Sequence, residues 1–284
     1  MTARRVAVCV PAYRDPDGVR RLLARISAVE HPPEALRVVI AVDGADEETV
    51  RAATAGGAEA LALPKAGSYA ARNAALGHLG TWPEVVVFTD ADCLPEPGWV
   101  KGHLAAIDRG LDLSGGAVEV TLRPKPSPAE YVDRMRHLRQ EMYVTALGFA
   151  VTANLAVRRE VLDVHRFADR LQTGGDVEFC RRAVAAGCTL GYTADAVVQH
   201  PARQTSKEVL TKVRRICAGM ADQPERWVGT PVTKARVRRA PVTIARAEGV
   251  SQGVLWDARE IVLEWYCQWT FVRHARRYGA VVVP

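Results

Sequence analysis

The stretch Val85-Val86-Val87-Phe88-Thr89-Asp90-Ala91-Asp92 decides the fold. Four apolar residues in succession, three of them β-branched, predict a strand buried on both faces. A sheet with one wet face would alternate apolar with polar residues instead. The strand ends in two carboxylates. Reading outward, Val6-Ala7-Val8-Cys9-Val10 is a second such run, closed by Pro11. Val38-Val39-Ile40-Ala41-Val42 is a third, closed by Asp43-Gly44, and Ala60-Leu61-Ala62-Leu63 is a fourth. Between them lie helical spacings: residues 17–29 through Val19, Leu22, Leu23, Ile26 and Val29, then Ala45 to Ala55, then an Ala-rich run over 68–79. A βαβαβαβ order predicts right-handed crossovers and a Rossmann-like, mostly parallel sheet with helices on both faces. Ligands of such sheets bind beyond the carboxyl ends of the strands. Pro11 to Asp15, Asp43, Asp90 and Asp92 all fall at those ends.

Further on, Arg123-Pro124-Lys125-Pro126-Ser127-Pro128 reads as a connector, since proline removes a backbone donor. A polar helix is expected over about 129–142, a strand over Thr152 to Val157, a helix over Asp176 to Ala186, and a last strand over Ala196 to His200. Residues 205–222 and 253–278 carry helical patterns, which predicts a helical extension at the C-terminal end. Val232 to Arg246 is basic and poorly patterned, and Thr233 to Arg246 is expected to be a mobile loop near an acceptor site.

The 284 residues are 48% hydrophobic and 25% charged, which is ordinary globular composition. No run approaches the roughly 18 uninterrupted apolar residues of a membrane span, and no leader pattern opens the chain, so a cytoplasmic protein is expected. None of the six cysteines forms a CxxC pair, which predicts reduced, mostly buried thiols. The net charge of +6 suits anionic partners and equally suits mere solubility. A nucleic-acid reader is not expected, because no basic motif carries interleaved aromatics.

Four constellations carry chemistry. Asp90 and Asp92, at alternate positions after a buried strand, suit a hard divalent cation, or else cap a solvated loop. Asp176, after Gly174-Gly175 at a helix start, is either a helix cap or a general base. His200, at the end of an apolar strand, is either structural or a ligand through neutral imidazole. Lys65 to Asn73 places a basic residue, a glycine and a helix start together, as an anion cradle or as a plain surface helix.

In order, these segments resemble the family-2 glycosyltransferases of the GT-A fold. Val10-Pro11-Ala12-Tyr13 is similar to the family's VPAYN turn, with Arg14 in place of Asn. Val42-Asp43-Gly44 through Thr49 resembles its VDDGSxDxT segment, with Val42 at the first acidic position. Gly67 to Asn73 resembles its GxxxARN helix start, and Asp90-Ala91-Asp92-Cys93 its DADC metal motif. Thr152 to Arg159 resembles GANLAVRR. Gly175-Asp176-Val177-Glu178-Phe179 resembles GEDxD/EF, with Gly175 in place of Glu, and Val198-Gln199-His200 matches a late metal-binding segment. The resemblance covers about residues 5–200.

It implies a catalytic domain over 1–200, with a nucleotide-sugar half of about 1–120 and an acceptor half of about 121–200, followed by a helical extension over 201–284. It implies Pro11, Tyr13 and Asp43 at the base and ribose, and Lys65 and Arg72 toward the base or phosphates. Asp90 with Ala91 would face the ribose, and Asp92 and His200, with Asp90, would hold Mn²⁺ or Mg²⁺. Asp176 would deprotonate the acceptor, with Asn154, Gly175 and Glu178 on the acceptor side. The implied reaction is inverting transfer from a UDP-, GDP- or dTDP-sugar to a glycan, lipid-linked or small-molecule acceptor. Two alternatives stand beside it: a silent nucleotide-sugar-binding scaffold, suggested by Gly175, and a sugar nucleotidyltransferase. The aromatic, Arg-ended helix of 254–273 has four readings: core packing, a cover over the acceptor cleft, a homodimer contact, or peripheral membrane contact.

Overall fold

The computed structural model describes residues 3–220, 222–223, 231–233 and 240–283. The chain forms two compact units, one of residues 1–119 and 138–200, the other of 120–137 and 201–284.

The first unit is built on a sheet in the order β3-β2-β1-β4-β7-β6-β8-β5. Strands β1 (Val6–Ala12), β2 (Leu36–Asp43), β3 (Glu59–Leu63) and β4 (Val85–Thr89) lie parallel. They alternate with helices α1 (Pro16–Ile26), α2 (Glu47–Ala55) and α3 (Ser68–Leu79), as the hydrophobic runs predict. Val6, Val8, Val10, Ile40, Val42, Val85 and Val87 pack on one face; Ala7, Cys9, Val39, Ala41, Val86 and Phe88 pack on the other. Each face is covered: α1, α2 and α4 (Trp99–Asp108) lie on the first, and α3 and α8 (Gly175–Ala185) on the second. Two-sided burial is why these strands lack alternation.

The remaining strands depart from a simple parallel array. β7 (Asn154–Arg158) runs antiparallel to both β4 and β6 (Leu113–Thr121), and β5 (Leu94–Pro95) antiparallel to β8 (Leu190–Pro201). Neither β5 nor β6 is evident from sequence pattern. The expected helix over 129–142 is two, α5 (Pro128–Arg136) and α6 (Gln140–Leu147), broken where Leu138 takes φ +57°. A short α7 (Arg159–Val164) follows β7. None of the six cysteines is in a disulfide, and five are buried, with Cys188 half-buried.

In the second unit, the expected connector ends in a helix start. Pro128 opens α5, where its missing N–H costs nothing, and Ser127 with Glu130 forms a capping box. Helices α9 (Ser206–Gly219), α10 (Ala240–Ala247) and α11 (Val254–Arg277) complete the unit with a parallel pair, β9 (Pro231–Thr233) and β10 (Val281–Val283). Residues 240–246, expected as loop, are helical; 234–239 lie outside the described residues. Residues 121–137, expected in the acceptor half, belong here. Buried Asp133 binds His137 Nδ1 at 2.7 Å and the Arg203 backbone N–H at 3.0 Å, tying the segment's end to the chain's re-entry.

Glu260 on α11 is 1% exposed, and neither carboxylate oxygen has a hydrogen-bond partner among the described residues. Burial first, then the charges of Glu264 and Asp257, pushes its pKa up to about 7. The folded state therefore binds a proton that the unfolded chain gives up near pH 4.5, and stability falls as pH rises between those values. Glu260→Gln is expected to raise stability at pH 8 by up to about 3 kcal/mol and to gain little below pH 4.5. Thermal unfolding of both proteins at the two pH values checks this; an equal gain at both would remove Glu260 as the titrating group.

Candidate active site

The carboxyl end of the parallel strands gathers most of the expected residues. β4 closes at Thr89, so Asp90 and Asp92 stand just beyond it. β8 ends next to His200, and Asp92 Oδ2 lies 3.4 Å from His200 Nε2. Cys93 joins them: one ligand atom from each of Asp92, Cys93 and His200 lies within 4.8 Å of the others. The Cys93 thiol is buried and pushed well above its ordinary pKa by that burial and by the charges of Asp90 and Asp92, so the oxygen and nitrogen donors are the chemically ready pair.

Helix α3 joins the two acidic centres. Arg72, expected toward the nucleotide, is buried and donates from Nη2 to Asp90 Oδ1 at 2.5 Å. One turn back, Tyr69 donates its hydroxyl to Asp176 Oδ1 at 3.3 Å, and the Val177 N–H reaches the same oxygen at 2.9 Å. Residues i and i+3 share a helix face, so one surface of α3 addresses both carboxylates. Burial raises the Asp176 pKa, against lowering contributions from the Val177 N–H, Arg72 and Tyr69. Tyr69 was not singled out from the sequence, since an Ala-rich helix start gives no sign of which side chain turns inward. It also explains Gly175, where a Cβ would stand 2.7 Å from the Tyr69 ring. The glutamate usual in the resembling motif has no room there.

The first two strands supply a second cluster. Pro11 lies in β1, and Tyr13 beyond it is 44% exposed. Lys65 Nζ donates to the Tyr13 hydroxyl at 3.1 Å and sits 4.3 Å from its ring centre; the Arg14 guanidinium is 5.4 Å from the same centre. The Lys65 hydrogen bond lowers the Tyr13 pKa. Asp43 Oδ1 accepts from the Ala66 N–H at 2.6 Å and the Gly67 N–H at 3.2 Å. Asp43 thus folds the turn after β3 onto the end of β2. Gly67 takes φ +101° there, the left-handed region that glycine enters without strain.

Three expected residues are engaged elsewhere. Ala91 is buried. Glu178 is held along α8 by Arg182, at 2.7 Å. Asn154, expected beside the acceptor, is fully buried. Its Oδ1 accepts from Trp99 Nε1 at 2.7 Å and from His103 Nε2 at 2.8 Å, and its Nδ2 donates to Ala117 O and Ala196 O, each at 2.8 Å. With all four positions filled, Asn154 fastens strands to α4 instead of meeting a ligand.

A family model described as "Glycosyltransferase like family 2" matches residues 3–230. The chain is 30% identical over 240 residues to "Glycosyltransferase AglE" of Haloferax volcanii, covering 82% of this chain and 77% of that protein. Among solved structures, it is similar to "Mannosyltransferase PcManGT from Pyrobaculum calidifontis in complex with GDP-Man and Mn2+". The TM-score is 0.58 at 18% identity, over 98% of this chain and 74% of the other. It is also similar to a glucosyl-3-phosphoglycerate synthase from Mycobacterium tuberculosis in complex with Mn2+, UDP-glucose and phosphoglyceric acid, with a TM-score of 0.52 at 17% identity over 77% and 79% of the two chains. At such identities these structural likenesses speak for the fold.

Proposed function

Because the chain belongs to the glycosyltransferase family-2 group, we propose that it transfers a sugar from a nucleotide-diphosphate donor to an acceptor hydroxyl, with inversion and with help from a divalent cation. The observation that carries this is the pairing of Asp92 and His200 at 3.4 Å, with Asp90 and Asp176 gripped by one face of α3. Two ligand atoms about 2.1 Å from one cation stand about 3.0–3.4 Å apart for right-angled to tetrahedral arrangements, so the pair fits such an ion. The Mn2+ in the mannosyltransferase and synthase structures supports the same reading.

On this reading Asp92 and His200, with Asp90 beside them, hold the cation, which when bound neutralises charge on the departing nucleoside diphosphate. Arg72 fixes the Asp90 rotamer. Tyr13, Asp43, Pro11 and Lys65 form the nucleotide side. Asp176 takes the proton of the acceptor hydroxyl as its oxygen bonds to the anomeric carbon. The bond from that carbon to the diphosphate breaks, and its electron pair leaves with the diphosphate. A single displacement inverts the centre and needs only one base.

Calorimetric titration with UDP, GDP and dTDP in the presence of Mn²⁺ tests the assignment. One diphosphate is expected to bind in a metal-dependent way, and Asp92→Ala to weaken it by at least about 10–100-fold, the range seen even for outer-shell metal partners. Failure of folded wild-type protein to bind any of the three would overturn the donor assignment.

A further inference from the structure

Helix α11 sorts its charges in an unusual way. Its three acids, Asp257, Glu260 and Glu264, are all buried, although carboxylates normally occupy the solvated face. Its four arginines, Arg259, Arg273, Arg276 and Arg277, are all exposed. The same outer face carries large apolar groups. Leu255 is 78% and Val262 64% exposed, and Trp265 and Trp269 are each 36% exposed. Positions 255, 259, 262, 265, 269, 273 and 276 recur every three or four residues and so form one stripe. Trp265 and Trp269 stack at 6.2 Å, and the Arg273 guanidinium lies 5.2 Å from the Trp269 ring centre. The stripe is apolar and cationic, with no carboxylate of its own helix among its members.

We propose that this face of α11 lies on an anionic lipid surface. Tryptophan and leucine suit the boundary between headgroups and acyl chains, and the arginines meet lipid phosphates. Charge favours this occupant over a second copy of the chain. A two-fold contact through the stripe would set arginine against arginine with no carboxylate on either stripe to answer them. Spanning is a different matter, since no helix among the described residues is long and apolar enough to cross a membrane. The lipid contact does not depend on the reaction proposed above.

The full chain is tested by co-sedimentation with vesicles of phosphatidylcholine alone and of equal parts phosphatidylcholine and phosphatidylglycerol. Binding is expected to the anionic vesicles, with blue-shifted tryptophan emission and weakening as salt is added. Replacing Arg273, Arg276 and Arg277 together by Gln should weaken binding about 100-fold, at about fivefold for each arginine. Trp265→Ser with Trp269→Ser should weaken it about tenfold or more. Circular dichroism confirms that both variants keep their helices. Equal binding to neutral vesicles, no binding to anionic ones, or binding indifferent to both variants would overturn the proposal. So would a dimer in sedimentation velocity that the tryptophan changes dissolve and the anionic vesicles leave intact.

Discussion

Asp176→Asn is expected to lower kcat for glycosyl transfer by about 10²–10⁴-fold, the usual contribution of a positioned general base. That is roughly 3–5 kcal/mol of barrier. The substitution is close to isosteric. Asn keeps an oxygen to accept from Tyr69 and the Val177 N–H, which reach the present carboxylate at 3.3 and 2.9 Å. What it loses is the capacity to take a proton. Donor affinity should therefore stay within about twofold, because the proposed donor contacts lie on other residues. The pH profile gives a second readout. Burial raises the Asp176 pKa, and a base works only when deprotonated. The wild-type rate should fall with acid through a limb above the ordinary Asp value of about 3.9. The residual rate of the variant should lack that limb. Release of nucleoside diphosphate, followed with an acceptor panel and with water as the default acceptor, measures both. A variant within about threefold of wild type would remove Asp176 from the reaction.

What the sequence discloses follows from how each feature is encoded. β1, β2 and β4 announce themselves because burial on both faces writes an uninterrupted apolar run. Asp43, Asp90 and Asp92 announce themselves because they stop those runs. β6 stays hidden because it opens on Leu113-Ser114-Gly115-Gly116, which reads as a turn. The reason is steric: a Cβ at Gly116 would meet the Asn154 amide and stand 2.5 Å from Ala196 O. The glycine is there so that a neighbouring side chain and strand can approach, and that partner is absent from any local pattern. The break after α5 is hidden for a similar reason, since the positive φ falls on Leu138 and not on glycine. Within the candidate site, Asp90, Asp92 and Asp176 stand out in the sequence as acids at strand and helix ends, and the pairings that hold Asp90 and Asp176 do not. Tyr69 reaches Asp176 across 107 positions, and Arg72 reaches Asp90 across 18. Such pairings are made by the fold, after the strands have chosen their order.

Asn154 is the position where those readings diverge most, and Asn154→Ala should separate them. A residue beside the acceptor would, when truncated, raise the acceptor KM and leave stability alone. The buried amide predicts the reverse. Its removal takes a partner from the Trp99 Nε1–H and His103 Nε2–H donors and the Ala196 carbonyl, all on residues without exposure, and from the carbonyl of half-buried Ala117. Each orphaned group costs about 1–3 kcal/mol. With partial relief from a water in the vacated space, the loss should reach about 4 kcal/mol, or about 10 °C in Tm. The damage should also spread. Burial holds the His103 pKa down to about 4, so its ring is neutral. With Nε2–H given to Asn154, Nδ1 accepts from the Ser114 hydroxyl at 2.9 Å, and Ser114 is joined in turn to Thr193 at 2.7 Å. The chain of bonds runs from α4 through β7 and β6 to β8. Asn154 is also the residue paired with Thr89, one position before Asp90, while Ala196 lies four positions before His200 on β8. Loosening this junction should slacken the 3.4 Å approach of Asp92 to His200, so Mn²⁺-dependent diphosphate binding should weaken along with the fall in Tm. Asn154→Asp sharpens the test, because it keeps an acceptor for Trp99 and His103 but turns a carboxylate oxygen onto two carbonyls. It should be about as destabilising as Ala. An aspartate variant as stable as wild type, with only its acceptor KM altered, would return Asn154 to the acceptor side and sink the structural account.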